Sequence, residues 1–153
     1  MWQEGSVIDL TDMSGEHFLK SIIQTSPDFF TYMYHARNGE IYDFKETNGL
    51  PGGHGFIHYR GMQVNGVIMS ARDIGNFAAG YISGLNNIPY YEMRFFFDAY
   101  QSLTDTVNYN VKQSQTNSGQ YRPAIFLSRE SKSSRKPQFA GWLLGTLAKG
   151  KKR

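Results

Sequence analysis

The chain has 153 residues, a net charge of +3 and no cysteine. Its length suits one domain with a real core, and the lack of cysteine excludes disulfides and thiolate metal sites. The longest apolar runs, FAAGYISGL and FAGWLLGTLA, fall well short of the roughly 20 residues a membrane helix needs, and no charged-then-apolar leader opens the chain, so a soluble protein without an export signal is expected.

Residues 1–13 read as a lead-in with one short strand in SVIDL. SGEHFLKSIIQT then places Phe18, Leu19, Ile22 and Ile23 on one helical face, with Ser14 as N-cap and Pro27 beyond the end. FFTYMYHARNGEIYDFKE is two aromatic runs split by Asn38-Gly39, a dipeptide favoured in two-residue turns, and predicts a β-hairpin. Glycine-rich residues 47–66 predict a long loop with one strand at 56–59. In ARDIGNFAAGYISG the spacing predicts a helix opened by Ser70, with Asp73 three residues on as in a capping box. A third helix is expected over residues 89–103, with Pro89 in its first turn. TDTVNYNVKQSQTNSGQYRP reads as polar and turn-like, SRESKSSRK as a charged link, and PQFAGWLLGTLAKG as a last helix ending at Gly150. The expected class is α+β: a mostly helical single domain over residues 14–150 with a small antiparallel β-hairpin or sheet, a junction before it and a basic tail at 151–153.

Charge is uneven along this plan. Residues 129–153 hold eight Lys or Arg against one acid, a net +7, which leaves residues 1–128 at −4. The basic end, with Lys132, Arg135 and Lys136, suits a polyanion such as a phosphate backbone, or else a solvated tail.

Several side chains have the chemistry for a site. On a strand, Asp43 and Lys45 share one face, where the acid can bind a divalent cation and the lysine can meet an attacked phosphate; an ordinary charged edge strand shows the same alternation. Asp73 and Asn76 lie three apart on one helical face, as a cap and a buried amide or as site residues. Gly75 and Gly80 each cost about 1 kcal/mol inside a helix, so the small residues at 75, 79, 80 and 84 imply that another element or a substrate lies against that helix. Asp98 among phenylalanines suits a general acid or base, or else pairs with Arg94 four residues earlier. His54 and His58 flank GFI, as a general base, as metal ligands or as neither; His17 and His35 read as structural. No Gly-rich phosphate loop, serine nucleophile elbow or zinc-finger spacing is present.

YDFK at 42–45, a glycine-rich gap, DIGNFAAGYISG at 73–84 and RFFFDAYQS at 94–102 together resemble the C-terminal toxin modules of Rhs and related polymorphic toxins. The pattern is most similar to the bacterial toxin 44 group, which pairs a W/Y-D-x-K segment with a downstream G-N-F/I segment. Tyr42 stands at the group's tryptophan, and Ala78 and Ala79 stand where it usually has His or Asn and Tyr. The resemblance covers about half of the chain. It implies an antibacterial effector carried by a larger Rhs protein of a type VI or similar contact-dependent system, secreted, delivered into a rival cell and neutralised by a cognate immunity protein. It assigns Asp43, Lys45, Asp73, Gly75, Asn76 and Gly80 to the group's pattern, with Asp98 from the Rhs modules.

The resulting expectation is a hydrolase, a nuclease acting in the target cytoplasm. Asp43 and Asp73 would hold Mg or Mn or a water, Lys45 would stabilise phosphate charge, His58 or His54 would move a proton, and the basic end would grip nucleic acid. Two alternatives stand beside it. One is a peptidoglycan hydrolase in the periplasm, using Asp43 with Asp98 or Glu46 as acid and base. The other is a non-enzymatic toxin whose C-terminal helix binds a partner or lies on a membrane without stable insertion.

Overall fold

A computed structural model describes residues 7–37, 39–48, 60–116 and 132–151. Its element order is β1 (Ile8–Asp9), α1 (Ser14–Thr25), α2 (Phe29–His35), α3 (Phe44–Thr47), β2 (Gly61–Val64), β3 (Val67–Ser70), α4 (Ala71–Leu85), α5 (Tyr90–Thr116) and α6 (Lys132–Gly150). The class is the expected one, mostly helical α+β with a small sheet.

The sheet is mixed, in the order β1-β2-β3. β1 runs parallel to β2, pairing Ile8 with Gly61, and β2 runs antiparallel to β3, pairing Val64 with Val67. The turn between β2 and β3 is Asn65-Gly66, with φ of 48° and 79°, the left-handed pair that matches the twist of a two-residue hairpin. The hairpin thus forms at the third Asn-Gly of the chain, after those at 38–39 and 48–49. The expected strand at 56–59, like Asn38 of the first Asn-Gly, lies outside the described residues. Met62 and Val64 point into the core while Gln63 faces out, the period-two pattern of a half-buried strand.

The segments on either side of the first Asn-Gly, Phe29–His35 and Phe44–Thr47, are helical, which corrects the expected hairpin at 29–46. Asp28 caps α2, its side chain accepting from the Thr31 N–H at 3.0 Å. Phe29, Tyr32, Met33 and Ala36 then face inward at helical spacing. Aromatic residues tolerate either conformation, so the cap and the inward period decide. Asp28→Ala is accordingly expected to cost about 1 kcal/mol, seen as a lower urea midpoint; an unchanged midpoint would leave the cap without a role. Tyr42 returns after the turn to stack on Tyr32 at 5.2 Å, and its N–H donates to the His35 carbonyl at 2.9 Å.

α1 buries Leu19 and Ile22 and stacks Phe18 on Phe44 at 4.7 Å, while Ile23 lies outside the expected stripe, 45% exposed. Ser14 is the first helical residue rather than the cap: its N–H donates to Asp12 Oδ1, and its hydroxyl accepts from Asn48 Nδ2 at 2.9 Å. Asp12 also pairs with Arg60 at 2.6 Å, tying the start of β2 to the turn before α1.

α4 is the central element. It starts as expected, with the Ser70 hydroxyl accepting from the Asp73 N–H at 3.0 Å. Ile74, Ala78, Tyr81 and Ile82 face the main core with α1, α2 and the sheet. Gly80 and Gly84 face α6, the element the glycine spacing implied. α5 adds Met93 and Phe97 against Phe29 in a second cluster.

Two boundaries differ from expectation. α5 runs on from 103 to Thr116, because no glycine or proline interrupts residues 90–116 and polar composition alone does not stop a helix. α6 begins at Lys132, inside the stretch read as a link, and carries Pro137 within it. Ser134 and Gln138, one turn apart and both buried, dock this early part on α4, which offsets the hydrogen bond that proline removes.

Candidate functional site

Among the described residues a partly open cavity of about 390 Å³ lies where α2, α3, α4, α5 and α6 meet. Asp43 lines it from the corner between α2 and α3, Lys45 from α3, Arg72 and Asn76 from α4, Ser134 and Gln138 from α6. Tyr42, Phe97 and Tyr100 supply aromatic walls.

Asp43 stands just before α3 and is 5% exposed. Burial pushes its carboxyl above the usual carboxylate range, opposed by the nearby Lys45 charge and by the Gly39 N–H, which donates to Oδ2 at 3.2 Å. Asp43 and Lys45 therefore share a cavity, but through a helical corner and not through the face of a strand. Tyr32, fully buried beside them, has its phenol pushed up by burial first and by the Asp43 charge next.

Gly75 also lines the cavity, and a Cβ added there would meet nothing within 4 Å. Packing does not require glycine at that position. What the missing side chain leaves is room, one turn from Arg72 on a helix that otherwise would carry a bulkier residue.

Asn76 and Gln138 are joined: Gln138 Nε2 donates to Asn76 Oδ1 at 3.2 Å. Arg72 Nη2 donates to the Ser134 hydroxyl at 2.9 Å. These two contacts, a turn apart on each helix, fix α6 alongside α4 with its polar side chains at the cavity. Arg94 of α5 donates through Nη1 to Gln138 Oε1 and through Nη2 to Asp98 Oδ1, the latter at 2.8 Å.

Of the residues the sequence singled out, Asp43, Lys45 and Asn76 thus meet at one cavity. Asp98 is not among the lining residues and forms the helix salt bridge with Arg94. Asp73 is not among the lining residues, and Gly80 packs on the Gln138 backbone. Lys132, Arg135 and Lys136 occupy the first turns of α6 within two residues of the cavity-lining Ser134. His54 and His58 lie outside the described residues. Sequence reasoning missed Arg72, Ser134, Gln138 and Tyr100. Arg72 carried a signal, being four residues before Asn76 on the same helical face; Gln138 carried none, since its partner is 62 residues away.

A divalent ion at Asp43 and Asp73 requires the two carboxylates to converge, and they do not meet at the cavity. Among the described residues no three of His, Cys, Asp and Glu cluster. Toward a Mg or Mn ion the cavity thus offers, among the described residues, the single carboxylate of Asp43, beside the cations Lys45 and Arg72. Compared with known protein families, with curated proteins and with solved structures, the chain matches none.

Proposed function

We propose that this domain is a nuclease toxin that cleaves phosphodiester bonds in the nucleic acid of a competitor cell. The observation that carries the proposal is the sharing of one cavity by a buried carboxyl of raised pKa, Asp43, and two cations, Lys45 and Arg72. A carboxylate in such a place takes a proton from an attacking hydroxyl, and the cations neutralise charge that builds on the phosphate oxygens. The bond from phosphorus to the leaving oxygen then breaks, and that oxygen takes its proton from solvent. The aromatic walls suit stacking of a base beside the reacting phosphate.

Lys132, Arg135 and Lys136, in the first turns of the helix that brings Ser134 and Gln138 to the cavity, would supply sequence-independent grip on the backbone. Replacing all three by alanine is expected to weaken oligonucleotide binding across sequences and to lower the slope of log affinity against log salt by roughly 2 to 3. A fluorescence titration at several salt concentrations measures this, and an unchanged slope removes these residues from the interface.

A glycan hydrolase needs a second carboxylate facing the first across the scissile bond. Asp98 is engaged by Arg94, Glu46 is exposed, and Asp43 is the one carboxylate lining the cavity among the described residues. No described helix is long and apolar enough to cross a membrane. Expressing the domain in the cytoplasm and in the periplasm of a host separates the readings. Nucleic-acid degradation and death from the cytoplasm, abolished by Asp43→Asn and Lys45→Ala, support the nuclease; lysis from the periplasm alone supports the glycan hydrolase. Carriage by an Rhs protein and neutralisation by an immunity protein belong to the same proposal.

A further inference from the structure

A side-chain amide buried between elements has a direction, set by its neighbours' donors and acceptors. Gln138 is 1% exposed and its two ends meet different partners. Arg94 has only N–H groups to offer, so Gln138 must turn Oε1 toward it, as it does. Asp98 holds the Arg94 guanidinium from the other side. Gln138 Nε2 is then committed to the α4 side, where it donates to Asn76 Oδ1. The Asn76 amide is fixed in turn. Its carbonyl is spent on Gln138, while its Nδ2 makes no hydrogen bond within the described residues, on a side chain that lines the cavity.

We propose that Gln138 is a positioning residue that aims the Asn76 N–H donors into the cavity, so that the site takes an oxyanion there, a non-bridging oxygen of a phosphodiester. Naming the phosphodiester rests on the nuclease reading; the donor polarity does not. Lys45 and Arg72 share the cavity against the single carboxylate of Asp43, so its lining is net positive and an anionic acceptor at Asn76 is favoured over a neutral one. Asp98, Arg94, Gln138 and Asn76 thus act as one chain in which an arginine on α5, held by Asp98, decides the polarity of an amide on α4. This gives Asp98 a part in the site without contact with the substrate.

Gln138→Glu tests the chain at constant size. A carboxylate still accepts from Arg94 but has no N–H for Asn76, which must rotate to donate to it and so present Oδ1 to the cavity. The probes are inorganic phosphate and a single-stranded oligonucleotide, and the readout is the side-chain amide resonance of Asn76, assigned by its loss in Asn76→Asp. In the wild type that resonance is expected to shift on adding phosphate. In Gln138→Glu the shift is lost and KM for oligonucleotide cleavage rises roughly tenfold or more, with a smaller change in kcat. Should Gln138→Glu fail to fold, Asn76→Asp serves alone: its Oδ1 still accepts from Gln138, its second oxygen faces the cavity, and phosphate binding measured by calorimetry is lost. A wild-type Asn76 resonance indifferent to phosphate, or wild-type KM in Gln138→Glu, overturns the inference while leaving the nuclease standing. A phosphate-dependent shift in a protein that cleaves no oligonucleotide supports the polarity and sinks the nuclease instead.

Discussion

Gly141→Ala is expected to destabilise the domain by roughly 3 kcal/mol or more, at or beyond the top of the usual overpacking range. α4 and α6 run parallel, with glycines at 80 and 84 on one facing glycines at 141 and 145 on the other. A Cβ at Gly141 would fall 2.0 Å from the Phe77 carbonyl oxygen, and one at Gly145 2.1 Å from that of Tyr81. The relation is mutual, since a Cβ at Gly80 meets the Gln138 carbonyl at 2.0 Å and one at Gly84 the Trp142 carbonyl at 2.1 Å. Each of these obstacles is backbone, which cannot swing aside as a side chain can, so the helices must separate. Close contact of this kind maximises dispersion and permits Cα–H···O contacts along the seam. Separation also withdraws Ser134 and Gln138 from the cavity, so activity is expected to fall with stability. Gly75→Ala is the contrast: with open space at its Cβ it gains helix propensity, and it reduces activity only by filling the cavity. Urea unfolding of the two variants measures the difference, and equal midpoints would refute the account of the seam.

Asp43→Asn is expected to lower kcat/KM by about 10²- to 10⁴-fold, the usual contribution of a positioned general base, while making the protein more stable at neutral pH. The two effects have one cause. Burial raises the Asp43 pKa in the folded state above its unfolded value. A carboxyl shifted that way contributes its full stability below the unfolded pKa, and loses it as pH rises through the folded pKa. At neutral pH the wild type therefore carries a charged, poorly solvated carboxylate that asparagine does not have. The melting-temperature advantage of Asp43→Asn should grow from acid toward neutral pH. Wild-type kcat/KM should rise with pH along a limb set above the ordinary carboxylate range, because the base acts deprotonated. Full activity in Asp43→Asn would remove Asp43 from the chemistry.

Much of the local structure was legible in the residues. Ser70 and Asp73 announced the start of α4, the spacing of Leu19 and Ile22 announced α1, and the glycines of α4 announced a close neighbour. Each of these rests on interactions within a few residues or on a period along one helix. The segment at 29–46 was not legible, because its aromatics fill a helical stripe as readily as a strand face and three Asn-Gly pairs, at 38–39, 48–49 and 65–66, compete for one hairpin. The pair at 65–66 wins with an alternating strand before it, where Met62 and Val64 reach the core. At 38–39 the capped helix α2 precedes the pair instead.

The site divides along the same line. Sequence by itself determined which chemistries were available: an acid and a lysine two residues apart, an amide three residues after a capping acid, and a basic C-terminal stretch. Only the tertiary structure decided that Asp43, Lys45 and Asn76 share a cavity with Arg72, that Asp73 stays outside it, and that Gln138 orients Asn76. The physical reason is range. A cap or a helical stripe is set by neighbours in the chain, whereas the direction of a buried amide is set by whichever donor the packing of another helix brings against it.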